Sequence, residues 1–313
     1  MPVSNSGVRV INPVLSNVAQ GYTNMQFVGG ALFPRVPVNT RGGQIIEFGK
    51  EAFMRYATRR APGGAAARIQ FGYAGKPFAL SNDAADMPVP REHQQDASVV
   101  PGIDLGRRAI NVGMRVLAMG LEIDQALMAT NAANYAASNK VTLAGAGKWS
   151  AATGTPLTDI DAGREAIRQQ CGIYPNTLVL SALGFSAAKN NPNVISRFQY
   201  DGVSSPVSAQ ITAQMLAGLF NVEKVVIGGA IYFNDAGVST DVWGNNAVLA
   251  YVPSQPSALE EPSYGYTYTY EGHPLVEEPY WDASARSWVY GCTYERAPVL
   301  SGIACGYLIQ NPA

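Results

Sequence analysis

Hydrophobic and polar positions follow three different rhythms along this chain, and the changes of rhythm mark its parts. The first 41 residues are apolar in places but keep no period. Pro13, Pro34 and Pro37, with Gly29-Gly30, interrupt every helical pattern except a short turn from Pro13 to Gln20. The run from Gln26 to Val38 carries too much proline for a regular central strand. Residues 1–41 therefore read as an extended arm that needs a surface to lie on. Period two begins at Gln44-Ile45-Ile46-Glu47-Phe48 and Ala52-Phe53-Met54-Arg55-Tyr56. It returns at Arg68 to Tyr73 and Pro77 to Leu80, after a loop of small residues from Ala61 to Ala67. Residues 42–81 thus predict a long β-hairpin, and a two-stranded ribbon is stable in water only when docked on something.

A helical rhythm takes over from about Ile103 to Ala137, where no proline occurs. Ile110, Met114, Leu117 and Leu121 fall at i, i+4, i+7 and i+11, and Val116, Met119, Ile123 and Leu127 widen that stripe. Such a helix of roughly 30 residues would span about 45 Å, reasonable for a spine. Gly106, Gly113 and Gly120 recur at one spacing and mark a line where another backbone could approach closely. After Ala144-Gly145-Ala146-Gly147 helix and strand alternate. Helices are expected from Thr158 or Asp159 to Gln170, from Ala182 to Lys189 and from Ser208 to Phe220. Strands are expected at Asn176–Ser181, Glu223–Ile227 and Asn246–Val252. This alternation predicts one α/β unit over about residues 142–256. The remainder is β-type: Tyr264 to Tyr270 alternates with aromatics on one face, and Ser287–Glu295 and Ala304–Ile309 are further strands.

Composition adds a reason to expect company. Charged residues make up only 14% of the chain against 47% hydrophobic, where about 25% charged is usual. Surface that is poor in charge is suited to burial against other chains. A net charge of −1 lacks the basic excess of a dedicated nucleic-acid binder. Arg55, Arg59, Arg60 and Arg68 nonetheless cluster in the hairpin and suit an acidic patch on an adjacent subunit. Cys171, Cys292 and Cys305 lack metal-ligand spacing. Two could bridge and leave one free, but reduced thiols are the simpler reading. No secretory signal and no apolar run long enough for a bilayer is seen, so no membrane partner is expected.

Catalytic chemistry finds little footing. Only two histidines occur, His93 in a polar linker and His273 in a Gly-His-Pro turn, whereas triads and zinc sites lean on histidine. Gly145-Ala146-Gly147-Lys148-Trp149 fails the phosphate-loop pattern, because Trp149 stands where Ser or Thr is required. Glu260-Glu261 and Glu277-Glu278 are the nearest thing to paired catalytic carboxylates, but adjacent acids on a turn usually form a solvated face. No catalytic residue, cofactor or metal is expected.

The order of these pieces resembles the tailed-bacteriophage major capsid protein family, with its Hong Kong phage-type fold. The likeness is carried by Leu15-Ser16-Asn17-Val18-Ala19-Gln20-Gly21-Tyr22 leading into Phe27 to Val38. It continues in Pro175 to Ser181 followed by Asn191-Pro192, in Ile211 to Phe220, in Val225-Val226-Ile227-Gly228, in Trp243 to Leu249 and in Gly306-Tyr307-Leu308-Ile309. The resemblance implies an α+β fold: an N-terminal arm (1–41), an extended β-hairpin loop (42–81), a peripheral domain with the spine helix (82–141 and 257–313) and an axial domain (142–256). It implies a shell of many copies, as hexamers and pentamers, around double-stranded DNA contacted weakly and without sequence specificity. Assembly would occur in the host cytoplasm and place the protein in the virion capsid. A separate scaffolding protein, a portal and a decoration protein are the further partners implied. Phe33, Phe48, Phe53, Arg59, Arg60, Arg68, Glu277 and Glu278 are the expected inter-subunit contacts. An encapsulin-like nanocompartment shell has the same fold and is the alternative, with a carboxylate-dependent hydrolase behind it.

Overall fold

The computed structural model describes residues 12–21, 24, 26–47, 59, 74–98, 104–200, 211–254 and 263–313. The arm does contain a helix. In α1 (Pro13–Gln20) the Asn12 side chain accepts the Leu15 amide at 3.0 Å, and Pro13 occupies the first turn, where its missing N–H is not needed. The chain continues through β1 (Arg35–Val38), β2 (Gly42–Glu47), β3 (Ala74–Ala79) and β4 (Ser81–Pro90) into α2 (Arg91–Ser98) and α3 (Leu105–Thr130). Helix α3 is the expected spine. Asp104 caps it by accepting the Arg107 amide at 3.0 Å, and its 26 residues extend about 39 Å.

The α/β unit comprises β5 (Lys140–Thr142), α4 (Pro156–Cys171), β6 (Thr177–Ser181), α5 (Ala182–Asn190), α6 (Pro192–Tyr200), α7 (Ala213–Leu219), β7 (Lys224–Gly228), β8 (Ile231–Phe233), β9 (Ser239–Asp241) and β10 (Asn246–Ala250). The chain closes with β11 (Gly265–Tyr270), β12 (Leu275–Val276), β13 (Tyr280–Asp282), β14 (Ser287–Leu300) and β15 (Gly306–Gln310). Among the described residues two large sheets form. One has the order β5-β15-β10-β6-β7. The other is built on β14, which pairs with β11, β12 and β13 on one side and along ten residues with β4 on the other. Strand β1 lies parallel to β11 at the edge, which is where Pro37 can be tolerated.

Alternate residues of β6 face opposite layers. Leu178 and Leu180 point into a core with Ile160, Ile167 and Leu216, while Val179 joins Val248 and Leu308 against the end of α3 and the arm residues Leu32 and Phe33. The inner stripe of α3 (Ile110, Met114, Leu117, Leu121) packs on Tyr290, Cys292 and Tyr294 of β14 and on Ala19 of α1.

Several sequence expectations need correcting. Described arm residues lie on their own subunit: Ala19, Leu32 and Phe33 are 1% exposed or less. Their missing surface is supplied by α3 and both sheets rather than by a neighbour. Strand β15 sits inside the α/β sheet and β5 at its rim, so residues 306–310 and 140–141, expected with the peripheral segments 257–313 and 82–141, hydrogen-bond into the α/β sheet. Val116 and Leu127 are 60% and 65% exposed. At about 100° per residue they fall roughly 110–130° round the helix from the centre of the inner stripe, on a different face. The three helix glycines admit side chains, not a backbone. A Cβ there would meet the Tyr290 ring, the Met87 thioether or the Arg296 guanidinium. Cys171 and Cys305 form a disulfide with Cα atoms 5.6 Å apart, while Cys292 is free and buried. His93 lies on helix α2 rather than in a linker.

Candidate functional site

The root of the hairpin is well defined. Strands β2 and β3 pair antiparallel from Gly42 with Ala79 to Glu47 with Ala74. The pair is fastened at its root. Arg41 makes a two-pronged contact with Glu295, Nε to Oε2 at 2.7 Å and Nη2 to Oε1 at 3.0 Å, and its guanidinium lies 4.8 Å from the Tyr270 ring centre. Phe78 stacks on Tyr268 with ring centres 4.6 Å apart. The Arg41 guanidinium holds the Glu295 carboxyl below its ordinary range, and His273 accepts the Glu295 amide through Nδ1 at 3.1 Å. Burial lowers the His273 pKa, which fits a neutral ring in this role.

A second joint fixes the arm, the spine and the α/β unit to one another. The buried Glu122 carboxylate of α3 accepts the amides of Val28 (2.9 Å) and Gly29 (2.9 and 3.1 Å) and the indole N–H of Trp243 (2.7 Å). One turn on, Gln125 donates to Thr267 at 2.8 Å, whose hydroxyl donates to the Phe33 carbonyl at 3.1 Å. A Cβ on Gly29 would collide with the Gln125 amide and the Glu122 carboxylate, so a side chain there would displace the clasp. Burial raises the Glu122 pKa, and the three donors oppose that rise.

The residues expected to touch a neighbour fall into three groups. Phe33 is fully buried and packs on Tyr264 at 5.5 Å between ring centres, so it is a core residue of its own subunit. Glu278 is exposed and Glu277 half-buried at the end of β12, where the Glu277 amide donates to Gly291 at 2.9 Å. Arg59 is exposed; Phe48, Phe53, Arg60 and Arg68 lie outside the described residues. Among the described residues no group of His, Cys, Asp or Glu could hold a metal ion, and no helix is long and apolar enough to cross a membrane.

Other exposed apolar surface went unnoticed in the sequence. The β8–β9 hairpin shows Ile231, Phe233 and Val238, the last two at 71% and 57% exposure. Alternation of Ile231 and Phe233 ahead of Asp235-Ala236-Gly237 was the available signal. At the other sheet Trp281 and Trp288 meet edge to face, 5.7 Å between centres, and both are partly exposed.

Comparison with known proteins places this fold in a family. The profile of the family Phage major capsid protein E matches residues 129–262. The major capsid protein of Burkholderia phage BcepMu is 35% identical over 310 residues, 98% of each chain. The chain belongs to the phage major capsid protein family. A crystal structure of a phage-related protein from Bordetella bronchiseptica RB50 superposes with a TM-score of 0.82 at 43% identity, covering 97% of this chain and 98% of that one. The mature capsid subunit of bacteriophage PhiM1 shares the fold at 15% identity, with a TM-score of 0.56 over 92% and 87% of the two chains. This capsid protein thus has the Hong Kong phage-type fold.

Proposed function

We propose that the protein builds the closed icosahedral shell of a tailed-phage head, as hexamers and pentamers of itself around double-stranded DNA. The observation that carries this reading is the near end-to-end relation to a protein named as a major capsid protein. The low charge content supports it, since a shell sums many modest contacts, each weak alone. In this layout the hairpin lies across a neighbouring subunit, and the α/β unit gathers around the five-fold and six-fold centres. Arg59, Arg60 and Arg68 face Glu277, Glu278 or another acid of an adjacent copy. DNA is enclosed without sequence readout. A scaffolding protein, a portal and a decoration protein complete the assembly, which takes place in the host cytoplasm. No catalytic role is proposed for Glu277 and Glu278. The nanocompartment alternative shares the fold, but the curated relative is a phage protein, which favours the phage head.

Electron microscopy of the purified protein tests the proposal. Closed shells of uniform diameter are expected, and particles recovered from a producing phage should contain DNA rather than a cargo protein. Protein that stays as single subunits at high concentration would overturn it. Reversing Arg59, Arg60 and Arg68 together to Glu should impair shell formation and leave circular dichroism unchanged. Normal shells from that variant would remove the charge pairing from the scheme.

A further inference from the structure

Helix α3 carries apolar residues on two sides, and the subunit covers one of them. The inner residues Ile110, Met114, Leu117 and Leu121 are 6% exposed or less. On the outer side Val112, Val116 and Leu127 are 47%, 60% and 65% exposed, with Met119 and Ile123 half-buried between them. The positions 112, 116, 119, 123 and 127 keep these five within about a quarter turn and along about 22 Å of helix. Each end of the stripe opens into a shallow pocket of about 570 Å³. One, beside α2, includes Pro88, Val89, Ala97 and Val112; the other, beside the hairpin root, includes Phe78, Leu127, Met128 and Leu300. A surface helix ordinarily keeps its outer face polar. Apolar residues at this spacing are how one helix offers an apolar face to a partner.

Charge selects the occupant. Arg108 and Arg115 flank the stripe and are exposed, and among the described residues neither has an ion-pair partner. Asp124 lies on the other flank, within the field of Arg296, while Asp86 and Asp96 belong to the α2 pocket. The chain's own hairpin segment, residues 48–73, carries Lys50, Arg55, Arg59, Arg60 and Arg68 against Glu51, so an arginine-flanked track repels it. Double-stranded DNA would use the arginines but has nothing to set on five apolar side chains. We infer that the outer stripe of α3 is a docking track for an amphipathic helix of a separate polypeptide, apolar on one face and acidic along its flank. The inference deepens the shell reading by giving one assembly partner a surface, and it rests on that reading.

The test uses the full chain and a fluorescent synthetic helix with leucines at i, i+3, i+4 and i+7 flanked by glutamates. Saturable binding is expected by anisotropy. It should weaken roughly tenfold, about 1.4 kcal/mol, when lysines replace the glutamates or when the protein carries Val116→Glu with Leu127→Glu. Arg108→Glu with Arg115→Glu should weaken it several-fold. Unchanged circular dichroism and melting temperature of the variants show that they fold. The inference is overturned by equal binding of both peptides, by undiminished binding to the variants, or by a short DNA duplex that displaces the peptide. Loss of self-association in the protein alone on Val116→Glu with Leu127→Glu would assign the stripe to a second copy and overturn it equally. Electron microscopy of the same samples separates the two readings. Wild-type shells that bind no peptide sink the docking track alone, whereas absence of wild-type shells sinks the shell reading.

Discussion

Strands β6, β10 and β15 bury almost every side chain on both faces within one subunit, whereas β4 fully buries only Val89, and Gly42, Gly43 and Gln44 of β2 are exposed. The first region is self-sufficient, closed by helices on one side and by the arm and spine on the other. In the second, β4 is held by its ladder to β14, and the described part of the hairpin is fastened at its root by Arg41 on Glu295 and Phe78 on Tyr268. Folding and assembly are therefore carried by different parts of the chain. Mutations should separate them: changes in the α/β unit reduce subunit stability, and changes along the hairpin reduce shell formation.

The largest effect should come from the self-sufficient side. Leu178→Ala, at a fully buried position of the central β6, is expected to cost about 2–5 kcal/mol by urea unfolding of the unassembled subunit. A cost below about 1 kcal/mol would mean that this core is loosely packed, and the contrast would fail. Next comes the Cys171–Cys305 bridge, which spans 134 residues. Replacing both by alanine should cost about 2–4 kcal/mol. Mass mapping of the unreduced protein should find these two joined and Cys292 as the thiol, unreactive under native conditions because burial pushes its pKa up to about 12.

Much of the self-sufficient region was legible in the sequence because its signals are local. The period of α3, the strand expected at 176–181 and a helix ending near Gln170 can each be read within a dozen residues, although that helix begins at Pro156, two residues before the expected cap at Thr158. The disulfide could not be, since only the sheet order brings the end of α4 to the turn before β15. Strand β4 was missed for a physical reason. Its sequence, Ser81 to Pro90, is polar and twice interrupted by proline, and it forms a strand because it is an edge strand held along ten residues of β14. The arm misled in the opposite sense. Leu32 and Phe33 looked like surface waiting for a neighbour, yet the clasp of Glu122 and Gln125, a buried Glu and Gln on a helix, reserves them for the interior. Nothing in the sequence marks Glu122 and Gln125 as buried or names their partners.

That clasp predicts a smaller, pH-dependent effect. Glu122 holds its proton more tightly in the folded state than in the unfolded chain. Its contribution to stability is therefore fully present below the ordinary glutamate range and declines as pH rises through that range to the folded value. Glu122→Gln should remove this decline. Urea midpoints of the native protein relative to the variant should fall from acid to neutral pH. A difference that stays flat, or rises, would show that the donors from Val28, Gly29 and Trp243 outweigh burial.

The smallest effect on the isolated subunit is expected at the hairpin root. Phe78 is only half-buried, and its stacking on Tyr268 is one contact at the edge of a small cluster with Val36 and Tyr266. Stacked aromatic pairs add about 0.5–1.5 kcal/mol beyond area burial, so Phe78→Ala should leave the α/β unit intact and lower subunit stability by on the order of 1 kcal/mol. Its effect on assembly should be far larger, because every copy in a shell repeats the loosened root and modest per-contact losses add over the lattice. Light scattering of assembly beside urea unfolding of the subunit measures both at once. If Phe78→Ala and Leu178→Ala reduce the two quantities in the same proportion, the hairpin root is part of the folding core and the division of labour drawn here does not exist.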